Sequence, residues 1–223
     1  MDWSPILISM KTATVSILIT FFLGVWAAYM LVNAKSTRLK VLVDGLFTMP
    51  MVLPPTVAGF FLLLIFGAKR PVGMFLQNTF GIKVVFTWLA TVIAAVVISF
   101  PLMYRAARGA FEQVDPTLIY AARTLGFSEW RIFWQVILPS AMPGVLSGAI
   151  LAFARGLGEF GATAMLAGNI AGVTRTLPLA IYSHVAAGKM NEAYKYVLII
   201  VVISFIVVAG MNMLGSGKDR RQK

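Results

Sequence analysis

Arg155 and Glu159 stand four residues apart in "AFARGLGEFGATAML", an otherwise apolar stretch of the 223-residue chain. On a helix that spacing puts both side chains on one face, close enough to pair. Ionisable groups inside a membrane segment face the protein interior or a water-filled path. The pair therefore reads either as a structural ion pair at a helix or subunit interface, or as part of the lining of a translocation path. The same stretch spells Gly156-x-Gly158-x-x-Gly161, the spacing of a dinucleotide-binding turn. That turn needs a strand before it and a βαβ unit around it, and neither pattern is present. The glycines read instead as points of close packing and a local bend. From Pro139 to Arg155, 16 residues rise roughly 24 Å on a helix, which places the pair deep in a bilayer.

Few other chemistries are open to this chain. It has no cysteine, so disulfides, thiolate metal sites and cysteine nucleophiles are excluded, and its one histidine, His184, leaves little scope for a metal site or a triad. The nearest approach to a phosphate-binding loop is "GSGKD" near the C-terminus, where Asn212 and Asp219 occupy the positions that need Gly and Ser/Thr. No nucleophile–base constellation accompanies it, so the chain does not read as an enzyme.

The elements that must hold Arg155 and Glu159 are membrane helices. The composition is 59% hydrophobic and 12% charged, too apolar to cover a soluble surface. A helix needs roughly 20 apolar residues to cross about 30 Å of hydrocarbon. Five spans follow, at 12–33, 41–67, 84–104, 140–167 and 196–214. The first is too long and too weakly basic at its start to be a cleaved signal. The second carries Pro50, Pro54 and Pro55, which predict an irregular helix whose freed carbonyls are satisfied by neighbouring protein or a cavity, beside a pathway or simply packed. Pro101 predicts a milder kink in the third. In the fourth and most polar of these interiors, Ser140, Gly144, Gly148, Ala152 and Gly156 recur every four residues, a small-residue stripe that lets another backbone approach closely. With the N-terminus outside, eleven Lys and Arg fall on the cytoplasmic side and seven outside, a modest bias toward that orientation. The net charge of +11 fits loops near anionic headgroups; no basic run interleaved with aromatics suggests nucleic acid.

The segment 105–139 is predicted to be a cytoplasmic loop carrying two short helices. Asp115 caps the first, Pro116 occupies its first turn and Gly126 ends it; Ser128 caps the second, which ends at Pro139. Within it, "YAARTLGFSEWRIFWQVILP" resembles the signature loop of binding-protein-dependent ABC importer permeases, E-A-A, three residues, Gly, nine residues, Ile-x-Leu-Pro. Ala121, Ala122, Gly126, Leu138 and Pro139 match, while Tyr120 replaces the glutamate and Val136 the isoleucine. The resemblance implies that this helix docks in a cleft of a separate ATPase subunit and carries its closure to the spans. Small side chains at 121 and 122 would let the helix sit deep, and Gly126 would permit the turn.

"LPPTVAGFFLLLIFG" and "FARGLGEFGATAMLAGNIAGVTRTLPLAIY" are similar to the molybdate group of these permeases, whose nearest relatives carry sulfate and tungstate. The likeness runs from about residue 10 to 210. Some members have an additional N-terminal span, without which five spans are expected here. The resemblance implies an all-α type I ABC-importer permease fold over 1–223, with the N-terminus outside and the C-terminus cytoplasmic. It also implies a homodimer in a bacterial or archaeal cytoplasmic membrane, two cytoplasmic ATPase subunits that carry ATP and Mg, an extracytoplasmic oxyanion-binding protein, and no cofactor on this chain. An ion-coupled secondary transporter, with Arg155 and Glu159 as a proton relay, is the alternative class; it would carry inverted repeats, and no matching halves are found.

Overall fold

The computed structural model describes residues 2–216, in which helices joined by turns are the regular structure; the basic cluster Lys218, Arg220, Arg221 and Lys223 and the lysine and aspartate of "GSGKD" lie outside them. The bundle is built on three long helices: α1 (Ser4–Asn33), α5 (Trp88–Glu112) and α8 (Leu138–Leu157). Helices α1 and α5 run parallel in a register fixed by hydroxyls. Thr12 bonds Thr91 at 2.8 Å and Thr20 bonds Ser99 at 3.2 Å, all four side chains being buried. Such pairs contribute about 0.6 kcal/mol each on average in lipid, but they select one register. At Gly24 a Cβ would lie 2.7 Å from Met103 Cγ, so α1 approaches α5 more closely than any larger residue permits.

Helix α8 runs antiparallel to α5 and uses the predicted stripe to do so. Gly144 meets Ala110, Gly148 meets Ala106, and a Cβ on Gly156 would lie 3.3 Å from Ser16 Oγ of α1. Without a hydrophobic drive between helices in lipid, this close contact is what holds them together.

Two of the predicted spans are broken. The second, expected at 41–67, is α2 (Thr37–Val52) followed by α3 (Pro55–Phe66), bent by 114° at Leu53 and Pro54. Leu53 still donates to Met49, but Pro55 cannot donate and Pro54 restricts Leu53 to extended backbone, so the helix restarts in a new direction. Pro50, by contrast, sits within α2. The fourth, expected at 140–167, stops at Leu157; Gly158, Glu159 and Phe160 are non-helical, and α9 (Gly161–Leu166) follows. Shorter helices α4 (Pro71–Phe80) and α10 (Leu177–Ala186) fill connections that carried no span signal, and α11 (Met190–Ser216) packs against α10. Among the described residues, four helices are long and apolar enough to cross a membrane, and the α2–α3 pair makes a fifth if counted as one span.

Helix α2 has no buried residue. It is held by polar bonds and aromatic edges: Arg108 bonds Asp44 at 2.5 Å, Tyr104 donates to Asp44 at 2.8 Å, and Phe47 packs edge-on against Phe100 and Tyr104.

Candidate functional site

The segment between α5 and α8 is shorter than 105–139. Arg105 and Arg108 continue α5, where Arg108 pairs with Asp44 and Glu112, so the loop begins only after Glu112. Its first helix, α6 (Pro116–Thr124), forms as the sequence predicts. The Asp115 carboxylate accepts from Thr117 N–H at 2.8 Å and Pro116 takes the first turn. That backbone N–H holds the Asp115 carboxyl below its ordinary range. At the other end Gly126 has φ +77°, and Phe127 N–H returns to Ala122 O at 3.1 Å, closing the helix. A Cβ on Gly126 would meet nothing within 4 Å, so the position demands the left-handed backbone and not space.

The second helix starts as predicted, with Ser128 accepting from Arg131 N–H, but does not end at Pro139. Helix α7 (Glu129–Ile132) passes through a π-turn over Phe133–Ile137 into α8, giving one helix over Glu129–Leu157. Leu138 N–H reaches Phe133 O, five residues back. A proline ring clashes with the carbonyl four residues before it and has no N–H to offer; the widened turn immediately before Pro139 relieves both problems.

The signature residues divide into two sets. Tyr120, Ala121 and Gly126 face out, and with Leu118 and Leu125 they form an exposed patch; Leu125 is 73% exposed. Ala122 does not join them. It is turned inward beside Ile119, because the residue three places on in a helix shares its face, and it packs into the main core with Leu138; Val136 is half-buried against the same core. Pro139 lies at the surface where the π-turn ends. Arg123 closes the α6–α7 corner with two bonds to Glu129, at 2.7 and 3.1 Å.

Phe133, in the π-turn, packs 4.4 Å from Tyr29 of α1 and 6.1 Å from Phe111 of α5. The α6–α7 corner, a knob at this end of the bundle, is thus joined to α1 and α5 through aromatic side chains.

At the other end of α8, Arg155 Nη1 bonds Glu159 Oε2 at 2.8 Å. The predicted pair forms even though Glu159 lies past the helix end. Its second oxygen accepts from Ala162 N–H at 2.8 Å, so one buried carboxylate joins the last turn of α8 to the first turn of α9. The glycines act as packing points. A Cβ on Gly161 would lie 3.0 Å from Pro55 Cβ, and one on Gly59 would lie 2.7 Å from Ala162 Cα. The two helix breaks, one at Pro54–Pro55 and one at Gly158–Phe160, therefore lie against each other. Pro54 and Pro55 share this junction; Pro50 stands a turn away, exposed to neither break.

Gly156, next to the pair, faces Ser16 near the middle of α1 (Ser4–Asn33), while the Lys11 ammonium nearer the start of α1 sits 4.1 Å from the Trp88 ring. The Asp44–Arg108 pair escaped the sequence reading because its members are 64 residues apart on different helices; only the four-residue spacing of Arg108 and Glu112 hinted at it. Among the described residues no cluster of His, Cys, Asp and Glu could hold a metal ion.

Residues 20–218 match the family model described as "Binding-protein-dependent transport system inner membrane component". The molybdenum transport system permease protein ModB of Escherichia coli K12 is 41% identical over 206 residues, covering 92% of this chain and 90% of its own. ModB of Haemophilus influenzae is 40% identical over 207 residues, again 92% of this chain and 90% of the relative. Among solved structures, the MetNI methionine ABC transporter in an inward-facing form superposes with a TM-score of 0.74 at 18% identity, covering 97% of both chains. At that identity the likeness carries the fold alone, and the fold is that of type I ABC-importer permeases.

Proposed function

Because the chain belongs to the family of binding-protein-dependent transport system inner membrane components, we propose that it is the permease subunit of an ABC importer that brings molybdate into the cytoplasm. It works as a homodimer in a bacterial or archaeal cytoplasmic membrane, with the N-terminus outside. ATP and Mg bind two separate ATPase subunits, and an extracytoplasmic protein delivers the oxyanion. The observation that carries this reading is the α6 knob. It is an exposed apolar patch on a rigidly capped helix, wired through Ala122 and Phe133 to the long helices. An apolar patch of this kind on a small polar loop fits a protein partner. ATP-driven closure of the partner displaces α6, and the aromatic contacts pass the displacement to α1, α5 and α8, so that the two halves of the dimer rock between outward and inward openings. Molybdate, ahead of tungstate and sulfate, is supported by the names of the relatives.

The test is uptake by proteoliposomes containing the permease, its ATPase and its binding protein. Labelled molybdate is expected to accumulate only with ATP, and faster than sulfate at equal concentration. Accumulation without ATP, driven by an ion gradient, would overturn the reading in favour of a secondary transporter.

A further inference from the structure

Arg155 and Arg105 are arginines within helices of the bundle, the first paired with a single carboxylate and the second unpaired among the described residues. Glu159 binds one guanidinium nitrogen of Arg155 from a position that is itself 1% exposed, whereas the Arg155 side chain remains 34% exposed. Arg105, on α5, is exposed and has no hydrogen-bond or ion-pair partner among the described residues. A guanidinium turned toward lipid tails is costly, so such side chains face water or protein within the bundle.

Arg105 lines a groove, and Arg155 stands one helical turn beyond its last lining residue on α8. A cavity of about 510 Å³ opens between α5 and α8, lined by Arg105, Gln113, Ser140, Ser147 and Leu151 among others. Arg155 follows Leu151 by four residues and so continues the same face of α8 by one turn. Gly148 is level with Ala106, next to Arg105. The two arginines are therefore about seven helical residues, or about 10 Å, apart along the groove. Hydroxyls and an amide line the stretch below Leu151. The acid on the lining, Asp115, is at the end beside α6, and its carboxylate is engaged by Thr117 N–H. The opposite face of α8 differs. There Ile17, Leu146, Ile150 and Phe153 border a second cavity that is nearly devoid of polar surface. That face meets α1 and α11 through apolar side chains alone, whereas the α5 side carries Arg105, hydroxyls and an amide.

We propose that the α5–α8 groove is the wetted wall of the transport path, in which Arg155 and Arg105 successively balance the charge of a passing oxyanion. This rests on the importer reading above and assigns its substrate a wall. Glu159 acts as the positioning residue: it fixes Arg155 at the junction of the two helix breaks through one guanidinium nitrogen, leaving the other N–H groups without a partner among the described residues. Pairing matters for a conduit, since an unopposed guanidinium would hold a dianion too tightly to release it.

The chain has no cysteine, so single cysteines report their own surroundings. In the assembled transporter in membranes, Ser147→Cys and Leu151→Cys are expected to react with charged, water-soluble methanethiosulfonates, while Ile150→Cys on the opposite face stays unreacted. The anionic reagent should react faster than the cationic one. Replacing both arginines, Arg105→Gln with Arg155→Gln, should cut that preference about fivefold, the size expected for unit charges some 10 Å away in a partly wetted site. Arg155→Lys should retain it. Unreactive Ser147→Cys and Leu151→Cys in a complex that still hydrolyses ATP would overturn the proposal, as would a charge preference unchanged in the double variant. These outcomes do not depend on which oxyanion is carried. Anion-selective labelling without ATP-driven molybdate uptake would leave the path and remove the importer reading; uptake without labelling would do the reverse.

Discussion

The α6 knob and the junction of the two helix breaks are built by opposite means. The knob has its apolar side chains outside, its ion pair between Arg123 and Glu129 in solvent, and a glycine with open space around it. The junction has its carboxylate buried and two glycines, Gly59 and Gly161, where the backbone or ring of another segment already crowds the place of a Cβ. The knob carries its apolar side chains on an exposed surface, with Ala122 turned into the core and its backbone set by the positive φ of Gly126. The junction is complete within the chain and tolerates almost no change. A transporter that must transmit a push without coming apart needs both kinds of site.

Substitutions at the junction should separate these regions most sharply. Gly59→Val places side-chain atoms on Ala162 Cα, and overpacking of this kind costs roughly 1–3 kcal/mol or more. The expected outcome is a large loss of folded protein, read as the melting temperature of the detergent-solubilised chain. Glu159→Ala strands both the Arg155 charge and the Ala162 N–H, and breaking a buried pair from one side costs about 3–5 kcal/mol. Glu159→Gln keeps an acceptor for Ala162 N–H and should be milder. Equal melting temperatures for the two would mean the α9 cap contributes nothing.

At the knob, Gly126→Ala should cost about 1–2 kcal/mol through its positive φ, with no steric penalty. Its melting temperature should fall less than that of Gly59→Val, while its binding to the ATPase falls more. The smallest effect concerns Asp115. Its carboxyl is held below the ordinary value of 3.8, so its cap is intact above that pH and is lost as pH falls through the lower folded value. Hydrogen exchange in α6 should therefore quicken only below about pH 4, and Asp115→Asn should abolish that dependence.

The difference between the regions also explains what the sequence could reveal. Capping by Asp115 and Ser128, the stop at Gly126 and the Arg155–Glu159 pair are local, set by neighbours within four residues, and all were legible. So was the stripe of α8, because a period of four marks a face whatever lies opposite. The inward turn of Ala122 was not legible, since either alanine could have faced the core. Pro139 misled for a related reason: a proline normally ends a helix, and only the π-turn before it lets this one continue. The 114° bend at Pro54 could be expected as a kink, but its size depends on α9 packing against α3, and Gly59 and Gly161 are a hundred residues apart in the chain. The Asp44–Arg108 pair is invisible to spacing for the same reason.

The central claim, that α6 receives the ATP-driven push, is tested most directly by charging its outer face. Leu118→Asp with Leu125→Asp alters two exposed side chains that support nothing inside the chain. The account predicts an unchanged melting temperature for the permease alone, loss of co-purification with the ATPase, and loss of ATP-driven oxyanion uptake in proteoliposomes. Full uptake by this double variant would contradict it.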